Sequence, residues 1–286
     1  MALVTSIDLI SVVIRALGFM ALFQAVGAGF FLALFGPRLT AAQPAIRRLG
    51  LCSAALGVLL VLAHLCLEAA RLSGDIQGLW DPDLQRLAWS SRAGTSQIVQ
   101  VIGLSVVLAG VWKPRHFGTA LRVLGGLTAL AAFLMTGHTR THALHAVLAP
   151  LLALHLLVVA FWFGALLPLA LAIQREPRAR AAELLQRFSV VAGWTVPLIF
   201  AAGLAMAWLL AGTVAVVAKP YGKLLILKAL LFGFLMALAA WNRWRLTPEL
   251  SAGTASALRR SIAAEYLLII AALSVTAVLT TFFSPE

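Results

Sequence analysis

The stretch that decides the fold is residues 146–173, AVLAPLLALHLLVVAFWFGALLPLALAI, in which His155 is the only ionisable side chain. About 20 consecutive apolar residues are enough to cross the hydrocarbon core of a bilayer as a helix. A run of this length and composition therefore predicts a membrane-spanning helix.

The composition of the whole chain points the same way. Of the 286 residues, 62% are hydrophobic and 11% are charged, and the mean hydropathy is +0.98. A soluble globule of this size could not bury so much apolar surface, because its surface must be largely polar. A soluble enzyme, a disordered chain, a collagen, a disulfide scaffold and an outer-membrane barrel are all excluded. Cys52 and Cys66 share one apolar run, so we expect two buried thiols and no disulfide.

The hydropathy pattern predicts an all-α, polytopic membrane bundle with eight spans in a single domain, residues 1–286. The N-terminal run lacks a basic flank and contains Arg15, so it is expected to remain as a span rather than act as a cleaved signal. A weak echo between the first and fifth spans is consistent with a repeat of four helices, residues 1–137 and 138–286. The predicted spans are Leu9–Phe35, Leu49–Ala70, Ser96–Trp112, Leu121–Thr136, Ala146–Ile173, Phe188–Leu210, Leu224–Trp244 and Ile262–Phe283.

The net charge of +12 predicts an orientation in the bilayer rather than a nucleic-acid partner. Lys and Arg are concentrated in the loops after the first, third, fifth and seventh spans, and such loops face the cytoplasm. Both termini are then expected in the periplasm of a bacterial inner membrane, with the lipid bilayer as the surrounding partner. The longest outer loop, Ser73–Thr95, carries Trp80 and Trp89 among alternating charges and predicts a short amphipathic helix at the interface.

Histidines are the most informative side chains. With this orientation, five of the six histidines fall in the outer half of the membrane, and only His116 lies in a cytoplasmic loop. Imidazole is a good ligand for copper, zinc and haem iron. The clustering favours a metal or cofactor site, although interfacial positions and hydrogen bonds within the bundle would also account for it. The candidate ligands are His64, His138, His142, His145 and His155.

Charged residues inside the spans need a partner or a function. Arg15 and Lys228 fall in the outer halves of their spans, and Glu68 is a candidate partner for both. Near the inner side, Arg243 and Glu265 are expected to form a structural pair, which Asn242 could join by hydrogen bonding. The chain contains no GxxxxGK[ST], HExxH or GxSxG motif, so neither ATP-driven transport nor these hydrolase mechanisms are indicated.

Several motifs in the second half of the chain resemble the copper resistance protein D family of bacterial inner-membrane proteins. Their order and spacing carry the resemblance, which also implies a supporting role for Trp162. It implies copper handling at the inner membrane, with copper delivered by a periplasmic copper-binding protein. The motifs are Gly137-His138, the run from His155 to Gly164, Arg187-Phe188-Ser189, Tyr221-Gly222-x5-Lys228, Asn242-Arg243-x4-Pro248 and Glu265.

Three functions remain open from the sequence. The first is a copper permease or binding protein, in which the outer histidines bind the metal while Arg15, Glu68 and Lys228 tune the site. The second is a b-type cytochrome, an oxidoreductase with haem between His64 and His155. The remaining outer histidines, His138 and His145 among them, would then form a second haem site or a metal entry point. The third is an assembly factor that binds no metal.

Overall fold

The computed structural model describes residues 5–113, 115–211, 218–247 and 255–283. Over these ranges the chain is helical and contains no strand, as the sequence predicts. The helices are α1 (Ser6–Phe35), α2 (Gln43–Ser73), α3 (Pro82–Ser90), α4 (Arg92–Ala109), α5 (Arg115–Ala131), α6 (His138–Thr141), α7 (His145–Arg175), α8 (Arg178–Ala211), α9 (Pro220–Trp241) and α10 (Ala255–Phe282).

Eight of the described helical segments are long and apolar enough to cross a membrane, which confirms the predicted number of spans. Several helices run beyond the apolar windows: α8 begins at Arg178, whereas hydropathy places the sixth span at Phe188. The reason is physical, since hydropathy detects the length inside hydrocarbon and the backbone hydrogen bonds continue past it. We call the side on which α1 begins the terminal face and the other side the opposite face.

The first helix occupies the centre of the bundle and packs against α2, α5, α7 and α10. Small residues allow these close approaches: Gly27 of α1 lies on Gly164 of α7, and Gly57 of α2 lies beside Leu22 of α1. Such glycines let helix backbones meet in a membrane, where packing rather than the hydrophobic effect drives association. The result is a large apolar core that includes Phe31 of α1 and other fully buried side chains.

The segment between α2 and α4 contains the short helix that its charge pattern predicts. A 3₁₀ turn (Ile76–Trp80) precedes α3, whose N-terminus is capped by the side chain of Asp81. Trp80 and Trp89 are exposed. Aromatic side chains are enriched where a membrane meets water, so an interfacial position for this segment stays a prediction.

The eighth and ninth helices leave most of their surface uncovered. Trp194 and Trp208 of α8 and Trp241 at the end of α9 are more than half exposed. In a bilayer these faces are covered by lipid chains and headgroups.

The sequence predicts two buried thiols, but Cys52 is exposed on α2. Neither cysteine forms a disulfide.

Candidate functional site

His64 lies in a closed polar cluster formed by α1, α2 and α4 near the terminal face. The ring is buried, and its Nε2 is 3.2 Å from both the Ser11 hydroxyl and the Nε of Arg15. Its Nδ1 is 3.2 Å from the side-chain oxygen of Gln97. Since Arg15 can only donate, Nε2 accepts and Nδ1 carries the proton donated to Gln97. Both ring nitrogens are therefore occupied, and a metal could bind His64 only by displacing one of these partners.

Arg15 joins three helices at this cluster. Its Nη1 donates to the backbone oxygen of Thr280 at 2.9 Å, which ties α1 to the end of α10. Its Nη2 lies 4.0 Å from the carboxylate of Glu68 on α2. The sequence expectation that Glu68 would partner Arg15 is met at this distance.

Glu68 has a closer partner that the sequence analysis did not consider. Arg71, one turn further along α2, contacts Glu68 at 3.0 Å and Asp8 of α1 at 3.3 Å. Lys228 forms no ion pair among the described residues and acts instead on His155 of α7, so Glu68 is not its partner. The physical reason is that Arg71 sits on the same helix face as Glu68 at a spacing of three residues.

His155 lies in a different environment, on the side of α7 that faces α8. Its ring is 3.7 Å from the position that a Cβ on Gly203 would occupy. The Nδ1 atom is buried, and no described residue forms a hydrogen bond with it; the backbone of Ile199 lies near the ring. Lys228 of α9 is near enough to act on this ring electrostatically. A buried polar atom without a partner is costly, so this nitrogen is the part of the candidate site with unused binding capacity.

The other histidines of the terminal face lie at the junction of α6 and α7. His145 is exposed at the first position of α7, and His142 is half-buried three residues earlier. The Nδ1 of His142 accepts a hydrogen bond from the amide of Leu144 at 3.0 Å. The His138 side chain, another predicted ligand, lies outside the described residues, although its backbone begins α6.

The predicted ligands whose side chains are described do not form one assembled centre. Within the described ranges, no three His, Cys, Asp or Glu side chains meet in a group that could hold a metal ion. His155 follows His145 by ten residues of helix, which is about 15 Å along the axis. His64 contacts Ser11 and Arg15 in the first half of α1, whereas α7 packs on α1 further along, where Ala160 meets Gly27. His64 and His155 therefore have different neighbours: α1 and α4 hold His64, whereas His155 faces α8.

Arg243 and Glu265 are not joined in an ion pair, in contrast to the sequence expectation. The Nη1 of Arg243 donates to the backbone oxygen of Ser189 on α8 at 2.8 Å. Glu265 instead accepts a hydrogen bond from the side-chain amide of Asn242, and the indole of Trp162 faces the same carboxyl group. The last turn before Thr247 is a π-helix, which places Asn242 rather than Arg243 toward α10.

Two groups of buried polar contacts were not predicted from the sequence. Gln24, in the middle of α1, donates to the backbone oxygen of Gly164 at 3.0 Å and accepts from the Tyr266 hydroxyl at 3.2 Å. Ser11 and Gln97 hold His64. The sequence feature that could have indicated these contacts is the presence of uncharged polar side chains inside apolar spans, because such side chains form hydrogen bonds between helices in membranes.

On the opposite face, Glu176 fastens the link between α1 and α2 to the turn between α7 and α8. Its carboxylate accepts the backbone amides of Thr40 at 2.8 Å and Ala42 at 2.9 Å, and the Thr40 hydroxyl at 2.8 Å. Burial raises the pKa of this carboxyl group, but the hydrogen bonds from Ala42 and Thr40 outweigh burial and hold the pKa below its usual range. The ionised form of Glu176 is therefore the form that the fold binds.

Fold and polar clusters together define a polytopic helical membrane protein with ionisable side chains buried among its helices. Comparison with known proteins narrows this class. The family described as copper resistance protein D matches residues 182–279, and the copper resistance protein D-like N-terminal domain matches residues 6–146. The two matches cover most of the chain, and the chain belongs to the copper resistance protein D family.

A relative and the solved structures add one finding each. The inner membrane protein YebZ of Escherichia coli (strain K12) is 26% identical over 196 residues, which are 66% of this chain and 67% of YebZ. No solved structure matches this chain.

Proposed function

We propose that this protein handles copper in a bacterial inner membrane, with the metal captured by the histidines of the α6–α7 junction and passed to His155 inside the bundle. The family description supports copper as the cargo. The relative YebZ is named as an inner membrane protein, which supports a location in the inner membrane. The positive-inside rule supports a periplasmic terminal face. A periplasmic copper-binding protein would then be the donor.

The observation that carries this proposal is the buried Nδ1 of His155, to which no described residue forms a hydrogen bond. Its position on the α8 side of α7 leaves a good copper ligand available within the membrane. His145 and His142 lie above it on the terminal face, in the order that a metal moving inward would meet them. The nearby ammonium of Lys228 would oppose a resting cation at His155 and so favour transfer over tight storage.

Binding at His142 has a structural consequence. Its Nδ1 accepts from the Leu144 amide, so Nε2 carries the proton in the neutral ring. A metal at either nitrogen requires that this hydrogen bond break, because the free lone pair is available only after the proton or the amide moves. Copper capture would therefore loosen the turn that precedes α7.

The test is copper binding to the purified protein in lipid nanodiscs. We expect His155→Ala to remove at least one bound copper per chain, and the double variant His142→Ala, His145→Ala to slow loading. His116→Ala is the matched control, since His116 is an exposed histidine on the opposite face. His155→Gln, which keeps a polar group, separates loss of a ligand from loss of folding.

The same sample distinguishes bound haem from bound copper. A Soret band with stoichiometric iron would contradict copper as the cargo and would make the histidines haem-ligand candidates. Copper binding that is identical in the wild type and in all histidine variants would contradict the proposed ligands.

A further inference from the structure

Two arginines near the opposite face lie within electrostatic range of each other, and neither has an acidic partner among the described residues. Arg122 of α5 is only 6% exposed, and among the described residues it forms one hydrogen bond, from Nη2 to the Thr119 hydroxyl at 3.0 Å. The Nε atoms of Arg122 and of the half-buried Arg47 on α2 are buried, and neither has a hydrogen-bond partner among the described residues. Arg47 is near enough to act on Arg122 electrostatically.

The backbone holds Arg122 in this position. A Cβ on Gly29 of α1 would lie 3.4 Å from the Arg122 Cβ, and a Cβ on Gly110 of α4 would lie 3.1 Å from its Cγ. The stem of Arg122 therefore passes between two glycines, and its direction is fixed by packing. On α2, Gly50 packs against Ala28, the neighbour of Gly29, and Arg47 lies one turn nearer the opposite face.

The described acidic residues of this face are used elsewhere. Glu176 binds Thr40 and Ala42, Glu183 pairs with Arg187, and Glu265 binds Asn242. Two guanidinium groups that are withdrawn from water without a counter-charge are unfavourable. An anion supplied from outside the chain would remove this cost.

We propose that Arg47 and Arg122 form a binding site for a phosphate group. Guanidinium groups bind phosphate oxygens with paired, charge-assisted hydrogen bonds, and the two unpartnered Nε atoms are donors of that kind. Arg47 and Arg122 lie within about 10 Å of the starts of their helices, which is the depth of the headgroup layer rather than the bilayer centre. The phosphate is that of an anionic lipid headgroup or a free inorganic phosphate.

The experiment measures thermal unfolding of the full-length protein in detergent with three additions: dioleoyl phosphatidylglycerol, dioleoyl phosphatidylcholine and inorganic phosphate. A bound ligand raises the unfolding temperature according to its concentration relative to its dissociation constant. A rise with phosphatidylglycerol alone identifies a lipid headgroup, and an equal rise with inorganic phosphate identifies a free anion. If neither phosphatidylglycerol nor inorganic phosphate raises the unfolding temperature, the proposal is overturned.

Variants locate the site. We expect Arg47→Gln and Arg122→Gln each to weaken the apparent affinity about tenfold, since each removes a charged hydrogen-bond donor. The double variant should lose little more, because both arginines serve one ligand. Arg48→Gln is the control, as Arg48 is an exposed arginine on the same face. If Arg122→Gln does not fold, Arg47→Gln alone decides: an unchanged temperature rise in that variant overturns the site.

Discussion

Gly27 of α1 and Gly164 of α7 face each other so closely that a Cβ on Gly27 would lie 2.5 Å from the Cα of Gly164. A Cβ on Gly164 would in turn lie 2.4 Å from the Cα of Gly27. Each glycine is the nineteenth residue of its predicted span, the first and the fifth, so the two hold equivalent positions in the echo between these spans. Their contact fits the proposed repeat of residues 1–137 and 138–286, which stays a prediction.

We predict that Gly164→Ala destabilises the bundle, because the added methyl group must push α1 and α7 apart. The intrinsic gain in helix propensity, at most about 1 kcal/mol, is smaller than the overpacking cost of about 1–3 kcal/mol. Thermal unfolding in detergent measures the difference. Gly233→Ala is the matched control, since a Cβ there would meet no atom within 4 Å. Equal stability of the two variants would show that the helices adjust at no cost.

The fold could be predicted from the sequence because each span needs only its own apolar length. The stretch around His155 and seven similar runs suffice, and they give the eight segments that the structure contains. The placement of ionisable residues by depth also brought Arg15 and Glu68 together correctly. Both inferences use only the depth of each residue along its own span, which the sequence determines.

Contacts between helices were harder to predict from the sequence. Glu68 pairs with Arg71 instead of Lys228, and Asn242 instead of Arg243 faces Glu265, because helix rotation and a local π-turn decide which side chain points inward. His64 was a candidate ligand by depth alone. Its partners Ser11 and Gln97 come from two other helices, and no spacing in the chain relates them.

We predict that Arg15→Met destabilises the protein by about 1–3 kcal/mol, since it removes the link from α1 to Thr280 and leaves the Nε2 of His64 without its charged donor. Arg15→Lys should recover part of this loss, because an ammonium cannot reach both partners. Chemical or thermal unfolding in detergent gives the values. Arg86→Met, in an exposed pair with Asp83, is the control and should change stability by less than about 1 kcal/mol. A loss in Arg15→Met no larger than in this control would contradict a structural role for the cluster.

Glu265 offers a test of hydrogen bonding against charge. Glu265→Gln keeps an oxygen that accepts from the Asn242 amide, so we predict stability close to that of the wild type. Glu265→Leu leaves the buried amide of Asn242 without an acceptor, and its Oδ1 already lacks a partner, so a loss of about 1–3 kcal/mol is expected. The comparison uses unfolding temperatures of the two variants at one pH. A large loss in Glu265→Gln would instead show that the negative charge itself is required.

The last prediction concerns acid stability and follows from Glu176. Its pKa in the folded protein lies below the ordinary value for a glutamate, because the amides of Thr40 and Ala42 bind the ionised form. A lowered pKa contributes stability that is fully present above the pKa of the unfolded chain and is lost as pH falls through the folded pKa. The wild type should therefore lose stability as pH falls from about 5 toward 3, which spans the ordinary glutamate pKa. Glu176→Gln should be less stable at pH 7 and should vary less over that range.

Unfolding measured at a series of pH values checks both parts of this prediction. Glu183→Gln serves as the control at neutral pH, because Glu183 pairs with Arg187 on the exposed side of α8 and an exposed ion pair contributes little. If Glu176→Gln kept the wild-type stability at pH 7 and the same acid sensitivity, the carboxylate would not be fastening the link between α1 and α2. We expect Glu176→Gln to lose stability, because the hydrogen bonds of Glu176 to Thr40 and Ala42 join the turn between α7 and α8 to the link between α1 and α2. These two connections are distant in sequence and meet at the opposite face.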